Sequence, residues 1–450
     1  MLVQLRSNGR GKGAQPDEEV FMSGKLKRLV AAGAALLAVC TTPVAAQQQA
    51  IVAGDIIVDA ERGSIGPGVI VVENGRILSV TAGAAAPAGA EVIDLSEKTV
   101  LPGLIDLHVH LTINPGGDFW RRAVEPEEWS TIIGVQNAER TVRAGFTTVR
   151  DAGSPGEAAF ALRRGTAEGL ITGPRIIAAG PPLAIIGGHG DVSGFRPEVN
   201  EVLTSGFSCT GPVDCAAKVR RAAQNGSDVI KITATGGVLS QQGRGLEAHF
   251  SDAEMKSIAE TADSLGLKVM AHAHGARGVE AAARAGIDTI EHGTYLDEEA
   301  AEAMRANGTV LVPTLMAFQG VTSRLGQGIY TPVVEAKIRE VAEAANVFVS
   351  RAQELNVPIA FGTDAGVFEH GLNAGEFRLM MAQGMSSRDA VASATTGAAR
   401  VLGMENELGR LAAGFSADII AVDGNPLEDA TVLEEVDWVM ARGVAHKEGS

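Results

Sequence analysis

Seven strongly polar side chains stand at the ends of apolar runs, where desolvation makes them costly unless something pairs them. His108 and His110 lie in LIDLHVH, Lys231 in VIKIT, His272 and His274 in VMAHAHG, His292 in IEHGT and Asp364 in FGTDAG. Imidazole and carboxylate are ligands of Zn²⁺ and similar divalent ions, and a catalytic site leaves a position open for water. A metal cluster would therefore pair all seven at once. His108 and His110 fall on one side of an extended chain, because side chains alternate with period two. Two hydrogen-bonded core histidines would explain that pair as easily, and Asp106 two residues earlier adds only modestly.

Lys231 and Asp364 offer more chemistry. A buried ammonium without a partner gives up its proton and leaves a nucleophilic amine. Such an amine can add CO₂ to become a carbamate, whose two oxygens can bridge two cations; snorkelling or a buried salt bridge is the bland alternative. Asp364 could ligate a metal, accept the proton of an attacking water and deliver it to a leaving amine. It could equally cap a following helix, although its glycine neighbours suit an open pocket better. His189, in IGGHGD, sits in a loop that could line such a pocket and contact substrate, and a structural role fits it nearly as well. His249, His370 and His446 have no assigned role.

The elements that must hold these residues repeat. Eight short apolar segments, LIDLHVHL, FTTVRDAG, RIIAAG, DVIKITATGG, KVMAHAHG, DTIEHGT, TVLVPTL and IAFGTDAG, alternate with Ala-rich amphipathic stretches such as SDAEMKSIAETADSLG. Eight β/α units suggest closure into a barrel, with the functional groups at the C-terminal ends of the strands. No Gly-rich dinucleotide fingerprint follows the first strand, which weighs against an open doubly wound sheet. On either side the texture changes to β-branched runs separated by Gly and Asn turns. The expected fold is α/β: a (β/α)₈ TIM-like barrel over 104–405, with a small β-sandwich built from both termini, 47–103 and 406–450.

Residues 1–46 read as an N-terminal extension and signal peptide: Lys25, Lys27 and Arg28 precede a short apolar run, and small residues at Val44 and Ala46 precede Gln47. Export to the periplasm or medium follows, with no membrane insertion after cleavage, since the run is too short to span a bilayer. Cys209 and Cys215 lie close together in SCTGPVDC, where an oxidising compartment would permit a disulfide. A net charge of −16 over 450 residues leaves no basic face for nucleic acid or anionic lipid.

LPGLIDLHVH, VIKITATGG, AHAHG, IEHGT and GTDAG, in that order, resemble the amidohydrolase superfamily over essentially the whole mature chain. The resemblance implies a binuclear centre, with His108 and His110 on one metal and His272 and His292 on the other. Lys231 would be the carboxylated bridge, and Asp364 a ligand and proton shuttle. Two divalent ions, zinc by expectation, would share a hydroxide whose parent water has a pKa lowered to about 7. His272 is chosen over His274 by the same resemblance, which leaves His274 to polarise the scissile carbonyl or orient substrate. The chain looks most like the exported Xaa-Pro dipeptidase, carboxypeptidase-like and ochratoxinase branch. That implies hydrolysis of dipeptides or N-acyl amino acids, ochratoxin A among them, by a homo-oligomer. A cyclic-amide hydrolase of the imidazolonepropionase kind, a lactonase or an organophosphate esterase could share the site. A non-catalytic scaffold would be expected to have lost ligands.

Overall fold

The computed structural model describes residues 48–116, 119–241 and 245–448, so the leader expected at 1–46 lies outside the described residues. All eight expected barrel segments occur in the expected order. The first, Leu104–Val109, pairs in parallel with Phe146–Asp151, which pairs in parallel with Arg175–Ala178. Val229–Thr233, Lys268–Ala273, Thr289–His292 and Val310–Val312 form the fourth to seventh strands, again parallel.

Backbone hydrogen bonds close the ring at both gaps between these sheets. Between the third and fourth strands the Asp228 N–H donates to the Ala178 carbonyl (2.9 Å) and the Leu183 N–H to that of Lys231 (2.8 Å). The eighth segment joins the seventh through the Ala360 N–H and Leu311 carbonyl (2.9 Å). It joins the first through the Leu107 N–H on Phe361 (3.1 Å) and the His110 N–H on Ala365 (2.7 Å). This last segment makes only isolated parallel bridges, Leu311 with Ile359 and Val109 with Ala365. Asp364 explains the interruption: its φ of 60° is left-handed, which breaks a pleated ladder.

Helices follow the strands as their sequences direct. Asp252–Asp263 begins with a capping box, Ser251 accepting from the Glu254 N–H while the Glu254 carboxylate accepts from the Ser251 N–H. Pro212–Asn225 and Glu298–Asn307 end on Gly226 and Gly308 in the left-handed conformation that a helix C-terminus favours. Among the described residues no helix is long and apolar enough to cross a membrane.

The two β-rich flanks meet in one eight-stranded sheet. Ile419–Val422 lies antiparallel to Glu91–Pro102, with Ile419 opposite Pro102 and Val422 opposite Thr99. Strand alternation sends Ile51, Ala53, Ile70, Val100, Ile419, Trp438 and Met440 into one apolar cluster, and Ala50, Val69 and Val71 into another. Each terminus thus covers apolar surface that the other cannot bury alone.

Candidate metal centre

The first barrel strand presents His108, and His110 follows it immediately; the fourth presents Lys231, the fifth His272, with His274 just beyond, and the sixth His292. Together with Asp364 they form one cluster. His108 Nε2 lies 3.5 Å from Lys231 Nζ and 3.5 Å from Asp364 Oδ1, and His110 Nε2 lies 3.3 Å from the same Asp364 oxygen. On the other side the ring centroids of His272 and His292 are 4.6 Å apart and those of His274 and His292 4.8 Å. Two sets of three could hold an ion: His108, His292 and Asp364, and His272, His274 and His292. His274 therefore sits within the ligand group, as close to His292 as His272 is.

Hydrogen-bond partners assign the imidazole tautomers, since a carbonyl or carboxylate oxygen can only accept. His108 Nδ1 donates to Glu291 Oε2 (2.8 Å) and His110 Nδ1 to the Gly153 carbonyl (2.8 Å). The Thr314 hydroxyl donates to the Pro313 carbonyl (2.6 Å), so it accepts from His292 Nδ1 (2.7 Å). All three imidazoles are left with an Nε2 lone pair. His272 differs, because its Nε2 donates to the Gly236 carbonyl (3.2 Å) and its Nδ1 carries the lone pair. His274 Nδ1 faces the Thr294 hydroxyl at 2.8 Å.

Burial is the first cause of every pKa shift in the cluster. It holds His108, His272 and His292 well below the ordinary imidazole value, and His274 at about 3. It pushes the Lys231 ammonium down, against the pull of Glu291 and Asp364, and the Asp364 carboxyl up, against the pull of Lys231. Neutral imidazoles and an easily deprotonated amine are the forms that bind a cation or CO₂. Asp364 Oδ1 is buried with no hydrogen-bond partner. The next regular helix begins only at Gly375, so Asp364 caps nothing. For Lys231 the salt-bridge alternative also fails: among the described residues no carboxylate pairs with its Nζ.

Adjacent residues of a strand point to opposite faces, yet Glu291 and His292 both reach His108, one by a hydrogen bond and the other with ring centroids 5.3 Å apart. The φ of 74° at His292 turns the chain and makes this possible. His189 lies half-buried beside the cluster, its ring centroid 4.3 Å from that of His272 and its Nδ1 2.6 Å from the Ser240 hydroxyl. Gly237 has to be glycine here, since a Cβ would come within 2.3 Å of the His189 ring. Away from the site, Cys209 and Cys215 are joined as a disulfide between the short strand Ser208–Cys209 and the start of Pro212–Asn225.

Several supporting residues escaped the sequence analysis or carried little weight in it. Glu291 and Arg150 are fully buried charges in apolar strands, the same signal that singled out Lys231. Asp106 is bound by Thr363 Oγ1 (2.6 Å) and Asn373 Nδ2 (2.8 Å), and so ties the Asp364 loop to the first strand. Lys337 gave no signal, being one charge in an amphipathic helix. Its buried ammonium donates to the carbonyls of Gly237 (2.8 Å) and Ser240 (2.7 Å). His370, for which no role was assigned, donates from Nε2 to the His110 carbonyl (3.1 Å).

Known proteins resemble this chain to different degrees. An ochratoxinase of Aspergillus niger is 33% identical over 361 residues, which span 75% of this chain and 72% of that protein. The crystal structure of a Xaa-Pro dipeptidase with bound methionine in its active site is 37% identical, with a TM-score of 0.82 over 89% of this chain and 100% of that one. The crystal structure of the A. niger ochratoxinase superposes with a TM-score of 0.78 at 27% identity, over 90% of this chain and 96% of that one. The profile of the Amidohydrolase family matches residues 99–445, so the chain belongs to that metal-dependent family and is a hydrolase of amide bonds.

Proposed function

We propose that the protein removes a C-terminal amino acid from the acyl or aminoacyl group that carries it, acting on dipeptides and N-acyl amino acids with two divalent ions at the barrel mouth. One observation carries this. The Nε2 lone pairs of His108 and His110 and the orphaned Asp364 Oδ1 converge within 3.5 Å in a buried place. Nitrogen lone pairs and a carboxylate oxygen so placed are arranged as ligands for a cation. Nitrogen and carboxylate donors suit zinc. His108, His110 and Asp364 would hold one ion, and His292 with His272 the other.

Lys231 fits the role of a carbamate bridge: it is buried, lacks a carboxylate partner and places Nζ beside His108. Bound metals supply an activated water and polarise the scissile carbonyl. Asp364, whose Oδ1 has no hydrogen-bond partner, would accept a proton from the attacking water and return it to the departing amine. His274 orients the carbonyl, and His189 lines the entry with Ser240. The substrate class rests on the likeness to a Xaa-Pro dipeptidase and an ochratoxinase; ochratoxin A, an N-acyl phenylalanine, belongs to it. The basic-then-apolar leader and the disulfide support export to the periplasm or medium, and the enzyme is expected to work as a homo-oligomer.

Metal analysis combined with turnover of dipeptides, N-acyl amino acids, cyclic amides, lactones and phosphotriesters tests the proposal. Two metal equivalents with amide turnover are expected. Turnover confined to lactones or phosphotriesters would reassign the site, and a metal-free protein that turns over nothing would remove it.

A further inference from the structure

Beneath the metal-facing histidines, the barrel core holds an ion pair that the hydrolytic chemistry does not use. Arg150, on the second strand, donates from Nη2 to Glu291 Oε1 on the sixth strand (2.9 Å) and from Nε to the Leu107 carbonyl (2.6 Å). The Thr289 hydroxyl also donates to Glu291 Oε1, while Oε2 accepts from His108 Nδ1 at 2.8 Å. Arg150 is 1% exposed and Glu291 0%. Stability does not explain such a pair, because replacing a buried salt bridge by well-packed apolar side chains is often neutral or stabilising. Among the described residues, its one hydrogen bond to the cluster is the one from the His108 imidazole.

We propose that Glu291 and Arg150 are positioning residues that hold His108 as its Nδ1–H tautomer, so that the Nε2 lone pair is already aimed at the divalent cation. The inference rests on the metal centre proposed above. Two strands supply the pair and a third supplies the ligand, so the barrel itself sets the ring's orientation. Arg150 holds Oε1 and balances the buried charge, which leaves Oε2 as a pure acceptor for Nδ1–H. A carboxylate on the far nitrogen also makes imidazole a better donor to metal.

The decisive variant is the double substitution Arg150→Met with Glu291→Leu, which removes both charges and strands neither. If the pair only stabilised the fold, this protein would melt at a lower temperature than the wild type yet bind Zn²⁺ like it. As a positioning pair, its loss leaves melting unchanged or improved but weakens Zn²⁺ binding, read by competition with a chromophoric chelator, by roughly 10- to 100-fold. Wild-type affinity in the folded double variant would overturn the inference while leaving the hydrolase assignment untouched. A wild type that binds no Zn²⁺ would overturn the metal centre itself. Should the double variant fail to fold, long-range ¹H–¹⁵N spectra of the chelator-stripped wild type decide the matter. The His108 signals, identified by their loss in His108→Gln, are expected to report Nδ1–H; an Nε2–H proton would overturn the inference.

Discussion

Asp364 concentrates three demands in one side chain: a left-handed backbone, a buried oxygen without a hydrogen bond, and a carboxyl that burial raises above its ordinary range. Strain and desolvation of this kind persist only where the surroundings enforce them. Here Thr363 and Asn373, anchored on Asp106, do so. Asp364→Asn keeps the shape and loses the proton acceptor, so kcat should fall by about 10²- to 10⁴-fold, the usual scale for a general acid–base group. The carboxyl must be ionised to accept a proton, so wild-type kcat/KM should decline as pH falls, and the variant's profile should lack that limb. Steady-state kinetics across pH decide both points; full turnover by the Asn variant would rule out the shuttle.

At the scale of elements, the strand ends alone do not shape the pocket. Helices from the later β/α units reach back into it. Pro332–Ala344 sends Lys337 to the carbonyls of Gly237 and Ser240, and Ser240 in turn holds His189. Lys337→Met should loosen this Gly-rich loop without touching a proposed metal ligand. KM is expected to rise about tenfold, the scale of one charge-assisted hydrogen bond, with metal content intact and kcat changed less. A lower melting temperature with unaltered KM would make the lysine a structural residue only.

Glu376, on Gly375–Ala382, accepts from the Leu315 and Met316 N–H groups (2.7 Å each) and so caps the helix that follows Thr314, the partner of His292. Burial pushes its carboxyl up to about 8. The folded chain then holds a proton that the unfolded chain releases near pH 4 to 5. Between that range and pH 8 the unfolded state binds fewer protons, so this group's contribution to stability falls as pH rises. Denaturation of wild type and Glu376→Gln at pH 5 and pH 8 should show the wild type losing more stability than the variant over that span.

At the scale of the molecule, the chain depends on its two ends meeting. The strand Ile419–Val422 completes the sheet beside Glu91–Pro102, and Trp438 and Met440 fill the same apolar cluster as Ile51 and Ile70. Ending the chain before Ala417 would bare that cluster and open a long strand edge, which favours aggregation. The truncated protein is expected in the insoluble fraction; a soluble, active product would show that the sheet is dispensable. The proposed export makes a second prediction: N-terminal sequencing of protein secreted by a host with a general export pathway should begin at Gln47.

The amino-acid sequence by itself determined the barrel order, the pairing of the flanks and which buried polar residues gather at the strand ends. These depend on local signals: apolar runs of strand length, turn residues between them, and polar side chains where burial would penalise them. Glu291 and Arg150 carried the same signal and were legible in principle, whereas Lys337 was one lysine among many on an amphipathic helix. Only the tertiary structure decided what each polar residue faces. It turned Glu291 and His292 toward the same imidazole, left Asp364 Oδ1 unbonded instead of capping a helix, and set His274 as close to His292 as His272. The reason is geometric. Hydrogen-bond partners here come from strands more than a hundred residues apart, and positive φ at two strand ends overrides the alternation that sequence periodicity assumes.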